Sequence, residues 1–210
     1  MTRDETIKFI ENFDGPFAGT DEAGRGPLAG PVVAAAVILS REQERELLRF
    51  GLRDSKKMMG AQRETVFAAM ESMGVVWCAQ AASVERIAKT NILASSLWAM
   101  AKATEKLPLH ADIVVVDGLY ALPELNSLSF VRSLPLVKAD SVIPAVSAAS
   151  VVAKVLRDRV MDALDSVYPQ YGFAKHKGYP TKQHREAVIK FGLSPVHRAL
   201  FCRKLFISNF

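Results

Sequence analysis

Residues 19–39 constrain this chain more than any other stretch. They read Gly-Thr-Asp-Glu-Ala-Gly-Arg-Gly-Pro-Leu-Ala-Gly-Pro, then Val-Val-Ala-Ala-Ala-Val-Ile-Leu. Val32 to Leu39 is an unbroken apolar run with the length of a buried strand. The segment therefore reads as strand, tight polar turn, strand. Glycines 24, 26 and 30 permit positive φ and let a ligand approach the backbone closely. Asp21 and Glu22 stand at the head of the turn, and Arg25 lies between two of its glycines. A hairpin decorated with surface charges satisfies the same pattern. The Gly-x-Gly-x-x-x-Gly spacing also admits a nucleotide-binding loop. That fingerprint needs a helix directly after the turn, whereas Pro27, Pro31 and the Val/Ala run favour a strand.

The chain has 210 residues, half of them apolar, enough for one good-sized core. No internal repeat, low-complexity tract or linker divides it, so residues 1–210 are expected to form a single domain. The N-terminus carries no apolar stretch of the signal-peptide kind, and the longest apolar runs fall well short of a membrane span. Cys78 and Cys202 lack metal or redox spacing and read as packing residues. A cytoplasmic location without membrane association is the resulting expectation. The net charge of +5 is unevenly placed. Residues 170–210 hold eight Lys/Arg against one acid, a charge of +7, which leaves −2 for residues 1–169. His176, His184 and His197 fall in the same basic stretch. Such asymmetry suggests a polyanion gripped by the tail; a solvated basic helical face has the same composition.

Local signals place the other elements. Ser40 with Gln43 predicts a capping box and a helix to Phe50-Gly51. A second helix is expected from about Ala61 to Met73, then a strand over 75–82. Residues 83–107 read as helical with a break near Thr90-Asn91, and 130–137 as another strand. The β-branched run Ile113-Val-Val-Val116 leads into Asp117-Gly118. An acid at the carboxyl end of a strand is a site candidate in an α/β sheet; Asp-Gly is equally a turn dipeptide. Pro144 opens a long Ala-rich helix to about Val167, whose Asp158, Asp162 and Asp165 read as solvated, with Lys154 and Asp158 spaced for a surface pair. The loop from Tyr171 to Pro180 interleaves aromatics and cations as nucleic-acid grooves do. Thr181 predicts a cap for a helix reaching Phe191-Gly192. Ser194-Pro195 predicts another cap, with proline at the first turn of a terminal helix.

Four acids thus stand at element ends: Asp21, Glu22, Asp117 and Asp140. Brought together they would repel and raise one another's pKa values. Divalent Mg²⁺ or Mn²⁺, which prefer oxygen ligands, would relieve that repulsion. Two such ions about 4 Å apart can activate water and hold the leaving oxygen of a phosphodiester. Successive strand residues face opposite ways, so a site shared by Asp21 and Glu22 predicts a strand break at Ala23-Gly24.

The chain resembles bacterial ribonuclease HII, the type 2 ribonucleases H. The resemblance rests on Asp-Glu-Ala-Gly-Arg-Gly-Pro-Leu-Ala-Gly-Pro (21–31), Asp-Ser-Lys-Lys (54–57), Val-Asp-Gly (116–118) and Lys-Ala-Asp-Ser (138–141). It continues in Ile-Pro-Ala-Val-Ser-Ala-Ala-Ser-Val-Val-Ala-Lys-Val-Leu-Arg-Asp (143–158), Tyr-Pro-Gln-Tyr-Gly-Phe-Ala-Lys-His-Lys-Gly-Tyr-Pro-Thr (168–181) and Ser-Pro-Val-His-Arg (194–198). These segments come in family order over roughly residues 17 to 201. The Gly-Arg-Gly turn distinguishes them from the sister type 3 enzymes, which resemble Gly-Lys-Gly there.

The resemblance implies an α/β, ribonuclease H-like fold with a mixed central sheet, flanking helices and a basic helical C-terminal part from about residue 168. It implies that Asp21, Glu22, Asp117 and Asp140 are the catalytic carboxylates and bind Mg²⁺ or Mn²⁺. It implies hydrolysis of RNA in RNA–DNA hybrids, and nicking 5′ to single ribonucleotides in duplex DNA, leaving 3′-hydroxyl and 5′-phosphate ends. By the same resemblance, Gly24, Arg25 and Gly26 read the ribose 2′-hydroxyl, the atom that separates RNA from DNA. Tyr179 stacks on the following sugar, and Lys56 contacts phosphate. The chain departs from its relatives at Ala139, Leu119-Tyr120 and Ala199-Leu200. Nothing in the sequence indicates a protein partner, and a monomer is the expectation. A catalytically silent hybrid-binding module and a nucleotide-dependent phosphotransferase are competing readings.

Overall fold

The computed structural model describes residues 2–52, 58–122 and 131–207. Five strands form one mixed sheet in the order β3-β2-β1-β4-β5: β1 (Phe17–Ala23), β2 (Val32–Ile38), β3 (Val76–Ala82), β4 (Ile113–Asp117) and β5 (Arg132–Leu136). The hairpin β1–β2 and the pair β2–β3 are antiparallel, while β1–β4 and β4–β5 are parallel. This is the expected architecture, and the change of direction falls at β1, the strand that carries Asp21 and Glu22.

Helices cover both faces. Helix α1 (Arg3–Glu11) is closed by a capping box between Thr2 and Glu5, a signature overlooked in the sequence. Helices α2 (Arg41–Arg49) and α3 (Gly60–Ser72) follow β2, and the Ser40/Gln43 box caps α2 as anticipated. The expected break at residues 90–91 separates α4 (Val84–Lys89) from α5 (Ile92–Glu105), each with its own side-chain cap, Ser83 and Asn91. Helix α5 packs one face of the sheet against Ala18, Ala34, Val114 and Val116. Helix α6 (Pro144–Val167) crosses the other face. Ala148, Ala149, Val152 and Ala153 pack there against Ala35 and Val37, and Val146 packs against Val115. Gly19 makes the crossing possible: a Cβ there would come within 2.3 Å of the Val146 amide nitrogen.

The C-terminal part comprises a 3-10 turn (Pro169–Tyr171), α7 (Phe173–His176), α8 (Lys182–Phe191) and α9 (Ala199–Ile207). Thr181 caps α8 as predicted. Ser194 caps no helix. Its backbone N–H and hydroxyl both meet His197 Nδ1, at 3.0 and 2.7 Å. Residues 194–197 form a turn, His197 pairs with Ala29, and α9 starts at Ala199. The interleaved aromatics of 171–180 also differ from expectation. Tyr171 and Phe173 are stacked core residues, buried with Met161 and Val188, and Tyr179 alone among them is substantially exposed, at 40%. Burying rings contributes more than leaving them as a platform, on the order of 2 kcal/mol each.

Candidate active site

Strand periodicity sorts the acids before any tertiary contact does. On β1, Gly19 faces α6, so Asp21 and Ala23 share that face. On β4, Val115 faces α6, and Asp117 follows it. The parallel register pairs Thr20 with Val116, so Asp21 and Asp117 come next, side by side on neighbouring strands and on one face. Asp140 arrives from the other side of β4, on a 3-10 turn (Ala139–Ser141) entered through Lys138 in the left-handed conformation, φ 57°. Asp117 Oδ1 accepts the Ala139 N–H at 2.8 Å, and the Ser147 hydroxyl of α6 donates to the Asp140 carbonyl at 2.5 Å. The buried Ala139 carries no positive φ, so the turn does not need a glycine there.

One oxygen from each of Asp21, Asp117 and Asp140 lies within 4.8 Å of the others. Glu22 occupies the opposite strand face and does not join that set. β1 pairs with β2 through Ala23 and ends at Ala23-Gly24 as expected, a break that follows Glu22 and does not turn it onto the Asp21 face. Glu22 reaches the same cavity from its rim, where its carboxylate lies 3.5 Å from the Arg25 guanidinium. Asp21, Glu22 and Asp117 therefore line one cavity, and Asp140 joins the site through its oxygen beside those of Asp21 and Asp117.

Asp21 is buried, and its pKa is raised well above the ordinary carboxylate value. Burial is the main cause, followed by the Glu22 and Asp117 charges; hydrogen bonds from Ser150 and the Glu22 backbone oppose the shift. Its Oδ2 is buried without a hydrogen-bond partner, an expensive state for a carboxylate oxygen. An all-oxygen donor set, like charges held close and an orphaned inward oxygen together fit a hard divalent cation. Among the described residues no Cys/His group of metal-binding geometry accompanies it.

The cavity has a volume of about 400 Å³. Gly24, Arg25 and Gly26 form one wall and Tyr179 another. Gly24 has φ 103°, and a Cβ there would strike Arg157 Nε at 2.0 Å, so the fold itself demands glycine. Gly26 is different: a Cβ would meet only Tyr179 Cε1, at 3.9 Å. Lys56 lies outside the described residues.

Several residues of the site carried no sequence signal. Ser150 and Lys154, one turn apart on α6, line the cavity. Lys154 Nζ is 2.6 Å from Asp158 and 5.8 Å from the centre of the Tyr179 ring. Burial lowers its pKa, against the pull of Asp158. Asp158 is thus half-buried rather than solvated. The small-x-x-x-Lys spacing was readable, but nothing local distinguished it from a surface pair. The basic tail also divides. Lys175, Lys182, Arg185, Lys190, Arg203 and Lys204 are exposed. Lys177 is half-buried and paired with Asp162. Arg198 and the three tail histidines are buried and present no charge to a polyanion.

The ribonuclease HII family model matches residues 18–206. The chain is 49% identical over 187 residues to ribonuclease HII of Albidiferax ferrireducens, covering 89% of this chain and 86% of that protein. It is 45% identical over 184 residues to ribonuclease HII of Chromobacterium violaceum, covering 88% and 89%. Among solved structures it is similar to ribonuclease H2 from Pyrococcus horikoshii OT3, with a TM-score of 0.73 at 26% identity, covering 92% of this chain and 98% of that one.

Proposed function

Since the chain belongs to the ribonuclease HII family, a nuclease acting on RNA–DNA duplexes, we propose the following chemistry for its cavity. The enzyme hydrolyses the RNA strand of hybrids and nicks 5′ to single ribonucleotides in duplex DNA, leaving 3′-hydroxyl and 5′-phosphate ends. The observation that carries this reading is the set of Asp21, Asp117 and Asp140 oxygens within 4.8 Å, beside a glycine turn and an exposed tyrosine.

Asp21, Asp117 and Asp140, with Glu22 at the rim, would hold two Mg²⁺ or Mn²⁺ ions. Bound there, the ions supply Lewis-acid stabilisation of the scissile phosphate and acidify an attacking water. The chain's own residues supply position. Ser150 fixes Asp21 by a hydrogen bond. Asp117 anchors the turn that presents Asp140. The amides of the 24–26 turn recognise the 2′-hydroxyl as a donor and acceptor that DNA lacks. Tyr179 offers a ring face to the sugar that follows. Lys154, already held by Asp158, faces the phosphate path as a cation. Lys56 is assigned a phosphate contact by resemblance alone. The exposed cations of the C-terminal part add sequence-independent affinity for the backbone.

A cleavage assay tests the proposal. The substrate is a DNA duplex with one ribonucleotide, set beside a long hybrid and an all-DNA control, with Mg²⁺, with Mn²⁺ and with chelator. A single metal-dependent nick 5′ to the ribonucleotide is expected. Cleavage of the hybrid without that nick would remove the roles given to Gly24, Arg25, Gly26 and Tyr179. No cleavage of either by folded protein would leave a hybrid-binding module.

A further inference from the structure

Two arginines lie in the interior behind the glycine turn. Arg157 of α6 is 0% exposed and Arg198, just before α9, is 3% exposed. Among the described residues neither forms an ion pair with an acid. Each instead spends its guanidinium on main-chain carbonyls. Arg198 donates from Nη2 to Gly24 O at 2.7 Å, from Nη1 to Arg25 O at 3.0 Å and from Nε to Gly30 O at 2.9 Å. Arg157 donates to Pro31 O at 3.1 Å, Ala29 O at 3.2 Å and Lys177 O at 3.0 Å. Five of the six carbonyls belong to the single turn 24–31; the sixth precedes Gly178 and Tyr179.

Burying a cation without an anion is costly, so the six hydrogen bonds need a reason beyond stability. Peptide planarity supplies one. In a trans peptide the C=O and the next N–H point in opposite directions, and the described chain has no cis bond. Drawing the Gly24 and Arg25 carbonyls inward onto Arg198 turns the Arg25 and Gly26 N–H groups outward, on the cavity side of the turn. Consecutive amides aimed at one point make a small electropositive cradle. Main-chain bonds lock the surroundings: Leu28 N–H to Gly178 O, Arg198 N–H to Leu28 O and Gly30 N–H to Val196 O, at 2.8, 2.7 and 2.8 Å.

We infer that Arg198 is a positioning residue for ribonucleotide recognition, acting from behind the turn by orienting the Arg25 and Gly26 amides, with Arg157 joining the same turn to the Tyr179 segment. Arg198 belongs to the basic tail by sequence and by charge count, yet it touches no part of the substrate. A planar fork is required, because three carbonyls must be reached at once from one buried group. Lysine offers a compact point charge in its place. The inference rests on the reading of the 24–26 turn given above.

The test compares wild-type protein with Arg198→Lys, and with Arg198→Gln in case lysine does not fold, after thermal melting has identified folded variants. Two quantities are read with Mn²⁺ present. One is the single-turnover rate on a duplex with one ribonucleotide; the other is the equilibrium affinity for the all-DNA duplex of the same sequence. The rate is expected to fall by about tenfold or more, as for small misplacements of a binding group, while DNA affinity stays within about twofold. Equal losses of rate and affinity would make Arg198 a phosphate anchor and overturn the inference. So would an unchanged rate. A wild-type enzyme that does not cut at the ribonucleotide overturns the reading of the turn itself, a failure visible before any variant is measured.

Discussion

His184 Nε2 lies 3.1 Å from His197 Nε2, and the surrounding contacts assign the proton between them. Ser194 N–H donates to His197 Nδ1, so His197 carries its proton on Nε2 and donates to His184. His184 then holds its own proton on Nδ1, which meets the Tyr179 carbonyl at 2.9 Å. His176 stacks on His184 with ring centroids 4.4 Å apart; it accepts the Gly178 N–H on Nδ1 and donates from Nε2 to Tyr171 O. Every nitrogen of the three rings is used. The chain of bonds ends on the backbone of the one exposed tyrosine of the cavity.

This arrangement predicts an acid-sensitive fold. Burial lowers the His197 pKa from 6.5 to about 4, with the His184 charge a second cause, and burial also lowers that of His184. Between those values the unfolded chain binds a proton that the folded chain refuses, so stability falls as pH decreases from 6.5 towards 4. For His197 the loss is on the order of 3 kcal/mol. Melting temperature measured across that range should drop steeply in the wild type and less in His197→Asn. A parallel slope in both would place the sensitivity elsewhere.

Gly26→Ala separates recognition from folding. The added Cβ meets only Tyr179 Cε1, at 3.9 Å, and Gly26 has no positive φ, so the melting temperature should hold. On the proposed reading of the 24–26 turn, the methyl group would stand in the path of the ribose, so cleavage at a single ribonucleotide should fall by about tenfold or more. Gly24→Ala would instead strike Arg157 and should unfold. Retained cleavage in a stable Gly26→Ala protein would show that no substrate comes close at this position.

Asp21→Asn should lower cleavage about a thousandfold, the scale of losing a principal electrostatic contributor. It should also stabilise the metal-free protein, by on the order of 1 to 3 kcal/mol, because it removes one of three crowded like charges and gives the orphaned oxygen's group a neutral form. Mn²⁺ should raise the melting temperature of the wild type and have little effect on the variant. A variant less stable than wild type without metal would contradict the electrostatic picture of the cluster.

Tyr179→Ala should reduce cleavage at an isolated ribonucleotide more than affinity for all-DNA duplex, and Tyr179→Phe should retain most activity, since the ring face is the part presented. Rates and dissociation constants measured side by side decide this; equal losses in Tyr179→Ala would indicate a general anchor.

The sequence by itself determined what depends on near neighbours. The capping oxygens of Ser40 and Thr181 act on amides three residues away, so those helix starts were legible. The apolar runs of β2 and β4, the break at Thr90-Asn91 and the placing of acids at strand ends followed from the same short-range rules. Family resemblance supplied the mixed sheet, which spacing alone did not. Tertiary structure decided the rest. Two-residue periodicity separates Asp21 from Glu22, but only the register of β1 beside β4 set Asp21 next to Asp117 and left Glu22 at the rim. Ser194-Pro195 has the local form of a cap, yet His197 took its side chain. Arg198 and the three histidines read as tail charge; Arg198 became an interior group because carbonyls up to 174 residues away were there to receive it, and the histidines because the folded tail set them against Tyr171, Tyr179, Ser194 and one another. Whether a polar side chain is solvated or buried depends on partners supplied by distant segments, and one-dimensional patterns carry no record of those partners.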